Sequence, residues 1–363
     1  MSAAESIIRI ENVTKTFGSF TAINNVSLDV PKGSFTTLLG PSGCGKTTLM
    51  RLIAGFHEPD DGTIVIEGNQ VNGVPAYKRN TPLVFQEYAL FPHMTVFENI
   101  SYGLKIKKMP RQEMKDKVDA MLEMFGLQGM ENRFPKHLSG GQQQRVAFAR
   151  ALITGQNILL MDEPLSNLDA KMRVEVRCEL RELQQRTGIT AIFVTHDQDE
   201  ALSLSDWIAV FDKGRIRQIG TPWEVYFKPK TKFVADFVGV ANFINGEVVG
   251  IEEHDIIVKF NDGVIRVNKY NDKFELGQAV TLVIRPECIS IIEDKNAHDL
   301  SENVFTGTIG QSSFLGRMIR YWVEAGPIQW IVDDTSPSVR GTLQGIIHVA
   351  LDKNKIHILP KED

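Results

Sequence analysis

Up to about residue 240, short apolar runs alternate with apolar stripes at helical spacing, and beyond that point short strand-like runs take over. An apolar run ending in Leu38 and Leu39 predicts a strand, and residues 49–54 predict a helix shortly after it. Residues 157–161 form a second, almost unbroken apolar run, the texture of a strand covered on both faces of a parallel sheet. Met172, Val176, Leu180 and Leu183 then recur on one stripe until Gly188, which predicts an amphipathic helix ending at a glycine. A third run, Thr190-Ala191-Ile192-Phe193-Val194-Thr195, predicts another strand. Strands and helices in alternation are the pattern of an α/β core.

Within residues 111–125, Met114, Val118, Met121, Leu122 and Phe125 recur at helical spacing, so about residues 87–155 are read as a helical subdomain inserted into that core. Its methionines are expected to pack in the interior, and Lys105, Lys107 and Lys108 to form a solvated surface cluster. The texture changes near Lys228-Pro229-Lys230-Thr231. After Asn242, residues 256–260 and 264–267 predict a hairpin around Asn261-Asp262-Gly263. Further runs at 280–284, 289–292, 318–323 and 330–332 predict a small all-β barrel of the oligonucleotide-binding type. Two domains are therefore expected, 1–240 and 241–363.

Composition narrows the picture. A chain of 363 residues with 42% hydrophobic content is long enough for two cores. No stretch approaches the ~18–20 apolar residues that cross a bilayer, and residues 1–6 lack a basic-then-apolar signal pattern, so a cytosolic location is expected. Cys44, Cys178 and Cys288 have neither metal-ligand spacing nor the density of a disulfide framework. A net charge of −5 argues against a dedicated nucleic-acid binder, although an aromatic or basic strand face on the barrel remains open to RNA.

Chemistry enters at Gly40-Pro41-Ser42-Gly43-Cys44-Gly45-Lys46-Thr47-Thr48, between the first strand and its helix. A glycine-rich turn there aims successive backbone N–H groups at one point, and the helix N-terminus adds partial positive charge, so the loop can wrap a polyphosphate. Lys46 is placed to reach the β- and γ-phosphates and Thr47 to ligate Mg²⁺. Either ATP or GTP fits this pattern. Cys44 in the loop is either a small tolerated residue or an oxidisable thiol. A second anion-ready site comes at Leu138-Ser139-Gly140-Gly141-Gln142, where Ser139 and Gln142 stand in capping-box spacing ahead of Val146, Ala149, Arg150 and Ile153. With a single Lys-bearing loop in the chain, this second site is expected to meet a nucleotide held by another copy. Asp162 and Glu163 lie at the carboxyl end of the second strand, where Asp162 suits Mg²⁺ and Glu163 suits proton acceptance from an attacking water. Ser166-Asn167-Leu168-Asp169 follows, and the third strand delivers His196.

The order phosphate loop, Gln86, residues 138–142, Asp162-Glu163, Asp169 and His196 resembles the ATP-binding cassette ATPases across roughly residues 5–240. The resemblance implies a P-loop NTPase with a RecA-like core, ATP and Mg²⁺ as ligands, and roles position by position. Lys46 and Thr47 would grip phosphate and metal, Gln86 would sense metal and water, Asp162 would complete the metal shell, and Glu163 would be the general base. His196 would contact the γ-phosphate, Ser139, Gly140, Gly141 and Gln142 would act on ATP of the opposite subunit, and Asp169 would line the seam. Phe17 stands where the family places an adenine-stacking aromatic, often tyrosine; it keeps the π-face and lacks the hydroxyl, and core packing is its alternative.

Arg285-Pro286-Glu287 and Phe314-Leu315-Gly316-Arg317 resemble the accessory C-terminal, TOBE-type domain of importer ATPases. Together with Phe85-Gln86-Glu87-Tyr88-Ala89-Leu90-Phe91-Pro92-His93-Met94-Thr95-Val96, this points to the energy-coupling subunit of a bacterial importer. In that class Tyr88, Leu90, Phe91 and Met94 would meet a helix of a membrane subunit, with internal packing of the helical subdomain the alternative that holds for some of them. The implied partners are a second copy, two integral membrane permease subunits and, indirectly, an extracytoplasmic solute-binding protein, at the cytoplasmic face of the inner membrane. Gln142-Gln143-Gln144-Arg145 resembles the polyamine branch and Ser166-Asn167-Leu168-Asp169 the sugar branch, with ferric iron a further alternative. A soluble ABC ATPase acting on DNA or ribosomes is the rival of another class, but it usually carries two cassettes or a long coiled coil.

Overall fold

The structure, a computed structural model, describes residues 5–261, 263–269, 273–292, 303–336 and 341–361. Residues 1–4, part of the stretch read for a signal pattern, and Asp262 of the expected hairpin turn lie outside the described residues. Two compact units divide the chain between Pro222 and Trp223.

The first unit carries strands β1 (Ser6–Phe17), β2 (Phe20–Pro31), β3 (Phe35–Leu39), β4 (Asp61–Ile66), β5 (Asn69–Gln70), β6 (Leu83–Val84), β7 (Ile158–Asp162), β8 (Thr190–Thr195), β9 (Trp207–Asp212) and β10 (Arg215–Gly220). Its helices are α1 (Lys46–Ala54), α2 (Val96–Ile106), α3 (Arg111–Met124), α4 (Gly140–Leu152), α5 (Ala170–Thr187) and α6 (Gln198–Leu204). The central sheet has the order β10-β9-β3-β8-β7-β6 and is parallel except for β10. Every residue of β3, β7 and β8 is buried, which is why these strands read as continuous apolar runs rather than alternating ones. Leu39 pairs with Thr195 and Asp162 with Val194, so the three strands end nearly level. The segments that follow them start at Gly40, Glu163 and His196, and all three therefore open at the carboxyl edge of one sheet, where α/β folds place ligands.

An antiparallel sheet of order β2-β1-β4-β5 shares an apolar cluster with α1 that includes Ile8, Ile10, Leu28, Leu49 and Ile53. Helices α2, α3 and α4 form the expected helical insert around Val96, Ile100, Val118, Leu122, Phe125 and Phe148, with Met114 and Met121 packed against it. Lys105, Lys107 and Lys108 are exposed.

Among the described residues the second unit contains α8 (Lys232–Val238), most of α7 (Pro222–Phe227) and ten strands. These are β11 (Asn242–Ile251), β12 (Asp255–Phe260), β13 (Gly263–Asn268), β14 (Ala279–Ile284), β15 (Ile289–Ile292), β16 (Val304–Phe314), β17 (Ile319–Ala325), β18 (Ile328–Asp334), β19 (Ile346–Leu351) and β20 (Ile356–Pro360). The all-β domain takes the form of two antiparallel five-stranded sheets, β13-β12-β11-β14-β20 and β15-β19-β16-β17-β18, over one core that includes Val258, Leu282, Tyr321, Trp330 and Val349. The hairpin read from sequence is β12–β13, with Phe260 opposite Gly263.

The boundary expected at 240/241 falls inside this unit. Arg285 explains the difference: its buried guanidinium donates to the carbonyls of Tyr226, Ala235, Gly239 and Val240 at 2.8–3.2 Å. A buried arginine needs its donors satisfied, and here residues 226–240 supply the acceptors, so those helices belong with the strands that follow them.

Candidate nucleotide site

Residues 40–45 make the turn from β3 into α1. Gly45 caps the helix with φ +112°, and a Cβ there would lie 2.5 Å from the Ala22 carbonyl oxygen, so no side chain fits. Lys46 is 4% exposed, and its Nζ donates to the carbonyls of Gly40 at 2.7 Å and Pro41 at 2.8 Å. Ser42 and Gly43 are exposed, while Pro41, Thr47 and Thr48 are half-buried. Cys44 is buried, and burial pushes its thiol pKa up against the pull of the Lys46 charge, the environment of a structural rather than an activated thiol.

Thr47 Oγ1 donates to Asp162 Oδ1 at 2.9 Å. Burial raises the Asp162 pKa, opposed by the Thr47 hydrogen bond and the charges of Arg51 and Lys46, and Glu163 pushes it further up. A hydroxyl and a carboxylate converging beside a phosphate loop suit Mg²⁺, which takes oxygen ligands, retains waters and binds through one or two carboxylates plus substrate phosphates. No group of three His, Cys, Asp or Glu side chains able to hold a metal occurs among the described residues.

Glu163 directly follows β7 in a left-handed conformation, φ +46°, with its N–H donating to Val194 O at 3.1 Å. For a non-glycine residue that backbone costs energy, and such strain concentrates at functional sites. The turn brings Glu163 Oε2 to 3.2 Å from His196 Nδ1. The His196 flanks are braced in turn: Asp197 N–H donates to Thr195 Oγ1, which donates to the buried Glu200 carboxylate. Arg173 on α5 joins this brace through Asp197 Oδ2 at 3.4 Å and Glu200 Oε1 at 3.8 Å, while also donating to Leu168 O at 3.1 Å. Sequence reading missed Arg173, half-buried beside the apolar stripe of an amphipathic helix, where a charged residue gives no signal of its own.

Gln86 is exposed just past β6, and its carbonyl accepts from Asn167 Nδ2 at 2.9 Å. Phe17 is 44% exposed, which rules out the core-packing alternative, with Lys15 Nζ 5.5 Å from its ring centroid and the His57 ring edge-on at 5.4 Å between centroids.

Ser139 caps α4 as a capping box: the Gln142 N–H donates to its Oγ, and its own N–H donates to Gln142 Oε1 at 3.0 Å. A side chain at Gly141 would run into Met172 of α5, and Gly140 faces Leu168. Asp169 caps α5 through the Met172 N–H at 3.0 Å. The signature residues and Asp169 thus form one group. Among the described residues, no hydrogen bond or ion pair joins Ser139, Gln142 or Asp169 to Lys46, Thr47, Asp162 or His196.

One expectation is corrected. Tyr88 is 4% exposed and belongs to the helical core with Val84 and Ile100, so its ring is no docking contact; Leu90, Phe91 and Met94 are half-buried. Sequence reading also missed Asn99 and Arg150, which hold the backbone of this segment. A lone polar side chain among the apolar positions Val96, Ile100 and Leu104 was the available signal for Asn99.

A family pattern described as ABC transporter matches residues 23–166. The spermidine/putrescine import ATP-binding protein PotA of Clostridium novyi (strain NT) is 44% identical over 359 residues, 99% of each chain. The chain belongs to the ABC transporter family. Like others of that family it is an ATP-binding ATPase, built on the P-loop fold. The Fe(3+) ions import ATP-binding protein FbpC of Brucella suis biovar 1 (strain 1330) is 47% identical over 317 residues, 87% of each chain. Among solved structures, cbiO1 from Clostridium perfringens, part of the ABC transporter complex cbiONQ, matches with a TM-score of 0.58 and 29% identity over 64% of this chain and 93% of that one. The ADP- and Pi-bound dimer of the ATP-binding cassette MJ0796 matches with a TM-score of 0.53 and 31% identity over 59% of this chain and 98% of that one. No helix among the described residues of this ABC ATPase is long and apolar enough to cross a membrane.

Proposed function

We propose that this ABC ATPase is the energy-coupling subunit of a bacterial polyamine importer, peripheral to the cytoplasmic face of the inner membrane. The observation that carries the reading is 44–45% identity to PotA proteins over 98–99% of this chain, second unit included. A ferric-iron importer is the second reading, favoured by the 47% identity to FbpC over 87% of this chain.

In this reading two copies clamp two ATP molecules head to tail. Each nucleotide lies between residues 40–48 of one copy and Ser139, Gly140, Gly141 and Gln142 of the other, with Asp169 at the seam and Phe17 stacked on adenine. The exposure of Ser139 and Phe17, and the placing of Gly140 and Gly141 against Leu168 and Met172 at the α5 end that Asp169 caps, support this division of labour. Lys46 supplies positive charge to the β- and γ-phosphates. Thr47, Asp162 and Gln86 would hold Mg²⁺, which when bound neutralises charge developing on the phosphate oxygens. Glu163 takes a proton from the attacking water at its carboxylate, and His196, held at 3.2 Å from that carboxylate, meets the γ-phosphate. Closure of the clamp moves the segment 86–96 and the permease helices docked on it; hydrolysis reopens it. The second unit, as a TOBE-type domain, is a regulatory module.

The test is reconstitution of the chain with its two permease subunits in proteoliposomes, supplied with the extracytoplasmic solute-binding protein. ATP-driven accumulation of labelled spermidine or putrescine is the expected result. Accumulation of ferric iron or a sugar alone would overturn the substrate, and no uptake of any solute would overturn the importer reading.

A further inference from the structure

Tyr88 and Ala89 sit consecutively in the left-handed region, at φ +59° and +46°. Two adjacent non-glycine residues there are costly and persist only where the surroundings over-determine them. Arg150, in the last turn of α4, provides that determination. Its Nη2 donates to Tyr88 O at 2.9 Å and its Nη1 to Ala89 O at 2.8 Å, and its guanidinium carbon lies 5.4 Å from the Phe91 ring centroid. A planar guanidinium fork meets two successive carbonyls in a way a single ammonium cannot. The downstream half of the same segment is held from α2. Asn99, fully buried, accepts from Phe91 N–H at 2.9 Å and donates to the carbonyls of Phe91, Met94 and Thr95 at 3.0–3.1 Å.

The helix that carries Arg150 begins at Ser139, so one rigid element joins the signature at its N-terminus to the strained turn at its last turn. The span between is thirteen residues of continuous helix, Gly140–Leu152. We propose that Arg150 is a positioning residue that transmits displacement of the signature helix to the membrane-facing segment 86–96, so that clamp closure moves the permease. The inference rests on the importer reading and deepens it by naming the link between nucleotide and transport. It assigns Arg150 no contact with ATP: its bonds go to Tyr88 and Ala89 backbone, and the side chain acts only through them.

Arg150→Met keeps the aliphatic stem and removes both donors; Arg150→Lys keeps the charge and one donor direction. For Arg150→Met, solute uptake in proteoliposomes and permease-stimulated ATPase should fall about tenfold, within the range expected of mutations along a coupling network. Basal ATPase of the subunit alone and its ATP affinity should stay within about twofold of wild type, because Arg150 touches neither nucleotide nor Glu163. Arg150→Lys should recover part of the uptake. A merely structural role would lower basal and stimulated ATPase together, and that parallel loss overturns the proposal, as does wild-type uptake by Arg150→Met. Failure of the wild-type complex to take up any solute strikes the importer reading instead. If Arg150→Met does not fold, the comparison is made on Arg150→Lys, where undiminished coupling is the overturning result.

Discussion

Glu163→Gln isolates the step that the site exists to perform. At 3.2 Å from His196 Nδ1, Glu163 Oε2 is replaced by an amide oxygen of nearly the same position, so the contact to the histidine and the left-handed turn at φ +46° are kept. Asp162 and its hydrogen bond from Thr47 are not touched. What disappears is basicity, and a positioned general base contributes on the order of 10²–10⁴ in rate, about 3–5 kcal/mol of barrier. Phosphate release at saturating ATP and Mg²⁺ should fall by that factor, while ATP affinity, read by displacement of a fluorescent nucleotide, changes less than about twofold. Hydrolysis at the wild-type rate would refute the assignment, and Gln86 or His196 would then have to orient the water.

Phe17→Ala removes an exposed ring rather than core packing, so KM for ATP should rise about tenfold with kcat preserved, as expected for loss of one base-stacking face; an unchanged KM excludes adenine stacking. Arg173→Met cuts the tie between Leu168 and the Asp197–Glu200 brace, and kcat should drop about tenfold with KM unchanged, because His196 is then misplaced rather than lost; an equal rise in KM would contradict a positioning role. Asp206 is pulled up by burial, but Arg181 Nη1 at 3.1 Å and the Phe35 N–H at 2.8 Å overcome this and leave its pKa below the usual value. A carboxylate depressed in the folded state stabilises above its unfolded pKa of about 3.9 and loses that contribution as pH falls through the folded value. Urea melts should therefore show Asp206→Asn less stable than wild type at pH 7 and the gap closing toward pH 3; a gap independent of pH would refute the linkage.

The phosphate loop, the strand bearing Asp162-Glu163 and the strand delivering His196 were legible because buried parallel strands must be apolar end to end, and the polar residues that follow them stand out. Ser139 was legible because a capping box is a local pattern, satisfied by residues three apart. What escaped was long-range. Arg285 ties residues 226–240 to the strands through carbonyls 45–59 positions away, and nothing local announces it. Arg150 meets Tyr88 and Ala89 across some 60 positions, and reads in sequence as one more polar residue on a helix. Tyr88 lies in a run of aromatic and apolar residues, Tyr88 to Met94, of which only the fold decides which ring turns inward. The left-handed backbone at Glu163 had no signature either, since glycine or asparagine is the usual marker of that conformation.

The central claim is that each ATP is held between two copies of the chain, and the mass and nucleotide content of the Glu163→Gln protein test it most directly. With ATP and Mg²⁺, size-exclusion chromatography with light scattering should show a dimer that carries one ATP per chain. The same protein with Ser139→Arg added should bind ATP as a monomer, because the new side chain occupies the place where the partner's nucleotide must approach. A Glu163→Gln protein that stays monomeric with ATP bound, or a dimer indifferent to Ser139→Arg, would contradict the account.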